Sequence, residues 1–253
     1  MPVSVHPKVL AVIPARYASE RFPGKMIVEL EGKPLVYHAY ARACKASLID
    51  EVVVAADDER IADALAPYGV NVVMTSPDHT TGTDRVAEVA AQADAEIIVN
   101  VQGDEALIDP QVIDDTIRPL LREPDVAMST ACHALTDPAK IADPNIVKVV
   151  RDSKGHAIYF SRAPIPHVRG GGATEKPVHF QHIGLYVFRR DFVIVYANMA
   201  PTPLEQLEKL EQLRAIENGY KIAVVETDYR CIGVDTPADL EEVRTLLAAE
   251  RGA

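Results

Sequence analysis

Three permanent cations, Arg16, Arg21 and Lys25, stand close together in Val12-Ile-Pro-Ala-Arg16-Tyr-Ala-Ser19-Glu-Arg21-Phe-Pro-Gly24-Lys25. An apolar run precedes them, so an α/β sheet would present them at the carboxyl end of a strand, where such sheets bind ligands. Guanidinium and ammonium groups gathered there make a clamp for phosphate. The usual glycine-rich cradles are missing: no G-x-G-x-x-G occurs, and Met26 rather than Ser or Thr follows Gly24-Lys25. Side chains must supply the charge that backbone amides supply elsewhere.

A second chemistry belongs to the acids. Val99-Asn-Val-Gln102-Gly-Asp104-Glu105 is an apolar strand that ends abruptly in carboxylates, with Gly103 to allow a sharp turn. Asp104 then projects on the same rim as Arg16 and Lys25. A lone carboxylate there suits Mg2+, which takes hard oxygen, keeps several waters and accepts substrate phosphates. An isolated strand-end Asp more often caps the following turn, and only the neighbouring cation loop favours the metal. Asp235, in Cys231-Ile-Gly-Val-Asp235-Thr-Pro237, also ends an apolar segment and precedes a helix. It either converges with Asp104 on one cation or favours the helix dipole where it stands. Spacing alone does not bring the two together. Asp57-Asp58 open a helix and are expected only to cap it. His179 and His182 have metal-pair spacing but no third ligand nearby.

These residues need a frame. Lys8 to Ile13, Glu51 to Ala56, Asn71 to Met74 and Glu96 to Gln102 read as buried strands. Pro34 to Ala46, Asp58 to Tyr68, Asp84 to Ala93 and Pro110 to Arg122 have helical spacing. That is a βαβ series on a parallel sheet. Thr83 before Asp84 and Thr236 before Pro237 read as helix caps. The second half differs. Val147 to Val150 and His156 to Phe160 flank Asp152-Ser-Lys-Gly155 as a hairpin. Residues 162 to 181, with Pro164, Pro166, Pro177 and three glycines at 170 to 172, read as a mobile loop over the site. A strand at Ile183 to Phe188, helices at Phe192 to Met199 and Pro203 to Asn218, a strand at Lys221 to Glu226 and a helix from Thr236 to Ala249 follow.

Bulk composition bounds the partners. The 253 residues are 48% hydrophobic and 25% charged, enough for one extended domain, 1 to 253, in which 147 to 190 forms a β-arm and a mobile loop. A net charge of −11 argues against nucleic acid, whose binding draws on many basic contacts, yet allows a small anion in a local cationic cleft. Cys44, Cys132 and Cys231 are odd in number and widely spaced, so a reducing compartment, the cytoplasm, is expected. The amino terminus lacks a signal-peptide core, and no apolar run is long enough to span a membrane.

The combination IPARYASERFPGK (13 to 25), HTTGTDR (79 to 85), NVQGDE (100 to 105), NIVKVV (145 to 150), YFSRAPIP (159 to 166), HIGLY (182 to 186), PLEQLEKLEQLR (203 to 214) and GVDTPADL (233 to 240) resembles the sugar-acid cytidylyltransferases. Within them it is most similar to the branch that uses 3-deoxy-D-manno-octulosonate (Kdo). The resemblance implies a nucleotide-diphospho-sugar transferase fold, which is Rossmann-like with a mostly parallel sheet and an inserted hairpin for dimerisation. It implies a homodimer that transfers CMP from CTP to the anomeric hydroxyl of Kdo, releasing pyrophosphate, for lipopolysaccharide synthesis. By position, Arg16, Ser19, Arg21 and Lys25 would hold the triphosphate, and Gly82, Thr83 and Arg85 would lie against cytidine. Gln102 would stand between nucleotide and sugar, and Asp104 and Asp235 would hold Mg2+. Arg162, His182, Tyr186, Glu211 and Gln212 would line the sugar-acid pocket, with Arg162 pairing the sugar carboxylate. Asp84, Ala106 and His167 depart from the family's usual Glu, Pro and aromatic residue; the last lies near the sugar loop. A cytidylyltransferase for another 2-keto-3-deoxy sugar acid of sialic-acid type, and a non-catalytic nucleotide sensor, are the alternatives.

Overall fold

A strand buried on both faces must be apolar at every position, and β1 (Val9–Ala15) meets that condition along its whole length. The computed structural model describes residues 7–18, 22–170 and 177–251. After β1 come the small hairpin β2 and β3 (Glu29–Leu30, Lys33–Pro34), α1 (Leu35–Ala43), β4 (Glu51–Ala56), α2 (Glu59–Leu65), β5 (Val72–Met74), α3 (Gly82–Gln92), β6 (Ile97–Asn100) and α4 (Pro110–Arg122). The second half contributes β7 (Val126–Leu135), α5 (Pro138–Ala142), β8 (Lys148–Arg151), β9 (Ala157–Ser161), β10 (His179–Arg189), α6 (Arg190–Ala197), α7 (Pro203–Glu208), α8 (Leu213–Glu217), β11 (Lys221–Glu226) and α9 (Pro237–Arg251).

The main sheet runs β11-β7-β10-β6-β1-β4-β5, with the hairpin β8 and β9 attached to β10. β1 pairs in parallel with β4 and β6, and β4 with β5. β10 is antiparallel to both of its neighbours, β6 and β7. The chain builds outward from β1 to β4 and β5, then crosses to place β6 on the other side. The loops after β1 and β6 therefore leave the sheet on either side of a switch point, where a crevice forms. Because β10 runs the opposite way, with Tyr186 opposite Asn100, its first half extends past the carboxyl end of β6 and walls that crevice.

Three apolar clusters hold the frame. One face of the sheet packs Val36, Ala39, Ile113 and Ile117 of α1 and α4 against Ala11 and Ile13. The other packs Val86, Val89, Phe192 and Tyr196 of α3 and α6 against Leu10 and Val12. A smaller cluster joins Leu30 and Leu35 to Ala106, Leu107, Val234, Leu240 and Val243. It ties the chain on either side of Lys25, Asp104 and Asp235 together by hydrophobic burial.

Four expectations change. The strand β7 was unassigned, because Ser129, Thr130 and His133 dilute its apolar pattern. The single helix expected over 203 to 218 is two, broken at Lys209, which takes a left-handed conformation at φ 55°. Arg214 in α8 reaches back across the break to donate to Glu205 in α7 from Nε at 2.9 Å and Nη2 at 2.5 Å. The cap of α3 is Thr81, in a capping box with Asp84, and Thr83 lies inside the helix. Finally, 179 to 181 belong to β10 rather than to the preceding loop, of which 171–176 lie outside the described residues.

Arg214 and Glu205 are both buried, so removing one partner strands the other's charge away from water. Arg214→Met should lower the unfolding free energy by about 3 kcal/mol. Urea denaturation measures this, and a loss below about 0.5 kcal/mol would assign the break at Lys209 to apolar packing alone.

Candidate active site

Gly24 takes φ 70° and opens a short 3-10 turn over Lys25–Ile27, which swings Lys25 inward. The loop is pinned behind it by Gly24 N–H donating to the Tyr17 carbonyl and by Tyr17 N–H donating to Asp57 Oδ1. Lys25 is buried, and its Nζ donates to Asp104 Oδ2 at 2.6 Å and to Asp235 Oδ1 at 3.0 Å. Burial disfavours the ammonium, but Asp104 and then Asp235 outweigh it and hold the Lys25 pKa above its ordinary value. Two acids 79 and 210 residues away from Lys25 in sequence thus share one cation.

Gly103 precedes Asp104 where a side chain would be crowded. An added Cβ would lie 3.1 Å from Met26 Sδ and 3.2 Å from the Pro14 carbonyl oxygen. Asp235 arrives on an irregular segment that ends in a capping box, where Thr236 N–H donates to Asp239 Oδ2 and Asp239 N–H donates to Thr236 Oγ1. Arg16 is exposed at the same rim, its Nη1 donating to the Thr80 carbonyl. Ser19 and Arg21 lie outside the described residues.

Gly82 starts α3 against Pro14, where an added Cβ would touch the ring at 3.4 Å. Thr83 Oγ1 donates to Glu211 Oε2 at 2.8 Å. Arg85, expected against cytidine, is instead fully buried, with its guanidinium bonded to Thr75 Oγ1, the Ser76 carbonyl and Asp57 Oδ2. It braces the loop after β1 through Asp57. Asp57 is therefore more than a cap: Asp58 alone caps α2, and Asp57 joins Tyr17 to Arg85. The doublet itself was the signal, since one helix entrance needs only one of the two carboxylates.

A pocket of about 330 Å3 opens beside this cluster, within the usual range for a small-molecule site. His182, Tyr186, Glu211 and Gln212 line it together with Asn145 and Lys209. The break at Lys209 puts Glu211 and Gln212 on a turn that faces inward. Tyr186 O–H donates to Gln212 Oε1 at 3.2 Å, while the buried Gln212 Nε2 has no partner among the described residues. Burial pushes the Glu211 carboxyl and the Tyr186 phenol up. Gln102 sits between the two clusters, its Nε2 3.4 Å from Asn100 Oδ1. The Arg162 guanidinium donates to the carbonyls of Glu208, Pro144 and Lys209, so it braces the pocket wall in this conformation. Lys148, missed in the sequence because its neighbours are all Val, is buried and donates to the carbonyls of Asp143, Ile146 and Arg162 behind the same wall.

His182 is the pocket's most constrained polar group. Thr130 Oγ1 lies 2.9 Å from its Nε2 and has the carbonyls of Ile183 and Leu185 at 3.0 and 2.8 Å. The hydroxyl proton goes to those carbonyls, so Nε2–H donates to Thr130 and Nδ1 is the bare acceptor. Burial pushes the His182 pKa down to about 3. Below its ordinary value of about 6.5 the unfolded histidine binds a proton that the folded one refuses, so stability falls as pH drops from there toward 3. The slope is about 1.4 kcal/mol per pH unit. His182→Gln should flatten urea-derived stability between pH 6 and 4 by about that slope; an unchanged slope would mean that water reaches the ring.

The cytidylyltransferase family pattern matches residues 10–222. The 3-deoxy-manno-octulosonate cytidylyltransferase of Geobacter metallireducens is 53% identical over 244 residues, which cover 93% of this chain and 96% of that protein. That of Solibacter usitatus is 53% identical over 96% of this chain and 95% of its own. A solved structure of CMP:2-keto-3-deoxy-manno-octonic acid synthetase complexed with CTP superposes with a TM-score of 0.91 at 41% identity, covering 96% of this chain and 99% of that one. A 4-diphosphocytidyl-2C-methyl-D-erythritol synthase from Anaerococcus prevotii shares the fold, with a TM-score of 0.61 at 16% identity. A cation loop, two acids converging on Lys25 and near-full-length identity above one half place this chain in the 3-deoxy-manno-octulosonate cytidylyltransferase family.

Proposed function

We propose that this protein transfers CMP from CTP to the anomeric hydroxyl of Kdo and releases pyrophosphate. The observation that carries the reading is the sharing of Lys25 by Asp104 and Asp235 at the switch point of the sheet, beside a polar pocket. The sugar oxygen attacks the α-phosphorus in line. A new P–O bond forms, the bond to the bridging oxygen breaks, and charge grows on the phosphoryl oxygens and on pyrophosphate. Placement and electrostatic stabilisation supply most of the catalysis in such transfers.

Lys25 and the loop arginines Arg16 and Arg21 hold the triphosphate. Gly82 and Thr83 at the start of α3 face the cytidine. On the sugar side, Gln212 Nε2 supplies a donor and His182 Nδ1 an acceptor, which together orient hydroxyls. Arg162 and Lys148 hold the wall that these groups face.

Asp104 and Asp235 are the residues that would hold Mg2+. The donor set fits: both groups are hard oxygen ligands already drawn to one cation. Among the described residues no group of three or more His, Cys, Asp or Glu is placed to bind a metal, so water and triphosphate would complete the shell, as Mg2+ favours. Bound there, the ion would lower the pKa of the sugar hydroxyl, and no separate base is then required.

The same reading includes a homodimer in the cytoplasm. Ile158 on the outer hairpin is 57% exposed, and an open cavity of about 690 Å3 between that hairpin and Phe180, lined by Val150 and Val178 together with Arg151, Asp152 and Lys154, offers a mixed apolar and charged surface for a second copy. The cysteines Cys44, Cys132 and Cys231 are all free thiols, and among the described residues no helix is long and apolar enough to cross a membrane. Light scattering should give the mass of two chains; a single-chain mass at micromolar concentration would remove the dimer.

Pyrophosphate release measured across four nucleoside triphosphates and several 2-keto-3-deoxy sugar acids should be confined to CTP with Kdo and to need Mg2+. Rapid turnover of a nine-carbon acid instead would reassign the sugar. Asp104→Asn changes charge but hardly any volume, so it should lower kcat by at least about 1,000-fold with the fold intact. Near-normal turnover in saturating Mg2+ would refute the metal assignment. Lys25→Ala should lower kcat by about 100-fold and CTP affinity less. Weaker CTP binding at unchanged kcat would make it a uniform-binding contact.

A further inference from the structure

Between β11 and α9, residues 227–236 form no regular element, yet they must deliver Asp235 to Lys25. One buried side chain collects the polar groups of that segment. The Glu105 carboxylate accepts from Tyr229 Oη at 3.0 Å, from the Cys231 thiol and from the Ile232 backbone N–H. Gly233 lies alongside, where an added Cβ would sit in van der Waals contact with Glu105 Oε1 at 3.6 Å. The backbone closes the same joint, since Val234 N–H donates to the Asp104 carbonyl at 3.2 Å. Glu105 itself is fixed on the turn that carries Asp104: its N–H donates to the Gln102 carbonyl and its own carbonyl accepts from Ile108.

We propose that Glu105 is a positioning residue that sets the separation of Asp104 and Asp235. The inference rests on the reaction proposed above. Glu105 has no ion-pair partner among the described residues and is 7% exposed, so it is turned away from ligand and toward the segment it holds. Three donors from residues 229, 231 and 232 meet one carboxylate anchored next to Asp104. Moving that carboxylate moves Asp235 relative to its partner acid, while the cation loop and the start of α3 stay in place. An error of about 1 Å in such a constellation lowers the rate by about 100-fold.

The test measures pyrophosphate release and, separately, CTP binding by calorimetry. Glu105→Ala should lower kcat by about 100-fold with the CTP dissociation constant within about twofold. Glu105→Gln keeps an acceptor for Tyr229 and should recover part of the rate. Tyr229→Phe removes one hydroxyl and no volume, so it carries the test if Glu105→Ala fails to fold, with an expected loss of about fivefold. The deciding arm uses Asp235→Glu, which keeps the charge and a measurable rate but has already lost the set separation. In that background Glu105→Ala or Tyr229→Phe should add less than about twofold. Equal losses in both backgrounds, or a loss that lies in CTP affinity, would overturn the proposal. If the wild-type protein proves active only with another sugar acid, the reaction assignment fails; the same cycle run with that acid still decides the role of Glu105.

Discussion

Two carboxylates that approach one another repel, and the proposed chemistry requires them to stay close. The structure meets that constraint with a buried ammonium between them and with an apolar cluster behind all three residues. Lys25 alone would not suffice, because a flexible side chain could follow either acid. The packing of Leu30, Ala106 and Val234 fixes the backbone next to each charged group, so the charges meet by geometry rather than by search. Salt weakens a pair on the surface; here the shared ammonium is buried while Asp235 stays half-exposed, so the contact with Asp104 is the better shielded of the two.

Much of the remaining polar interior serves the same end. Arg85, Lys148 and Arg214 are buried cations, and none of them is exposed to a ligand. Each gathers oxygens from segments that carry the site: Arg85 takes Asp57 and the 75–76 turn, Lys148 takes three carbonyls, and Arg214 takes Glu205 across a helix break. A buried cation satisfied by several acceptors favours one arrangement over its neighbours, since any slip leaves a charge without partners.

The frame was legible where sequence signals are local. Glu51–Ala56, Pro110–Arg122 and Lys221–Glu226 have the expected ends, because apolar runs and an N-terminal proline mark them. The residue types of Lys25, Asp104 and Asp235 and the turn after β6 that carries Asp104 were also legible, but the irregular course of 227–236 that delivers Asp235 and the meeting of the three were not, because strand order and long-range packing create them. The break at Lys209 could not be read from PLEQLEKLEQLR, whose residues all favour a continuous helix. It is imposed by burial of Leu210 and by the reach of Arg214. Arg85 and Asp57 misled for a related reason: a cation or an acid beside a ligand loop has the same sequence appearance whether it touches the ligand or holds the loop.

Charge is distributed unevenly between the two clusters. Lys25 keeps its proton because Asp104 and Asp235 overcome its burial. In the pocket lined by His182 and Tyr186, burial holds the imidazole neutral and the phenol protonated, so both present hydrogen-bonding atoms without net charge. Glu211 and Lys209 line the same pocket and give it ionisable groups of both signs. The Glu211 carboxylate accepts from Thr83 at the head of α3 while its neighbour Gln212 faces the pocket, so α3 and the pocket wall are joined by a direct side-chain contact.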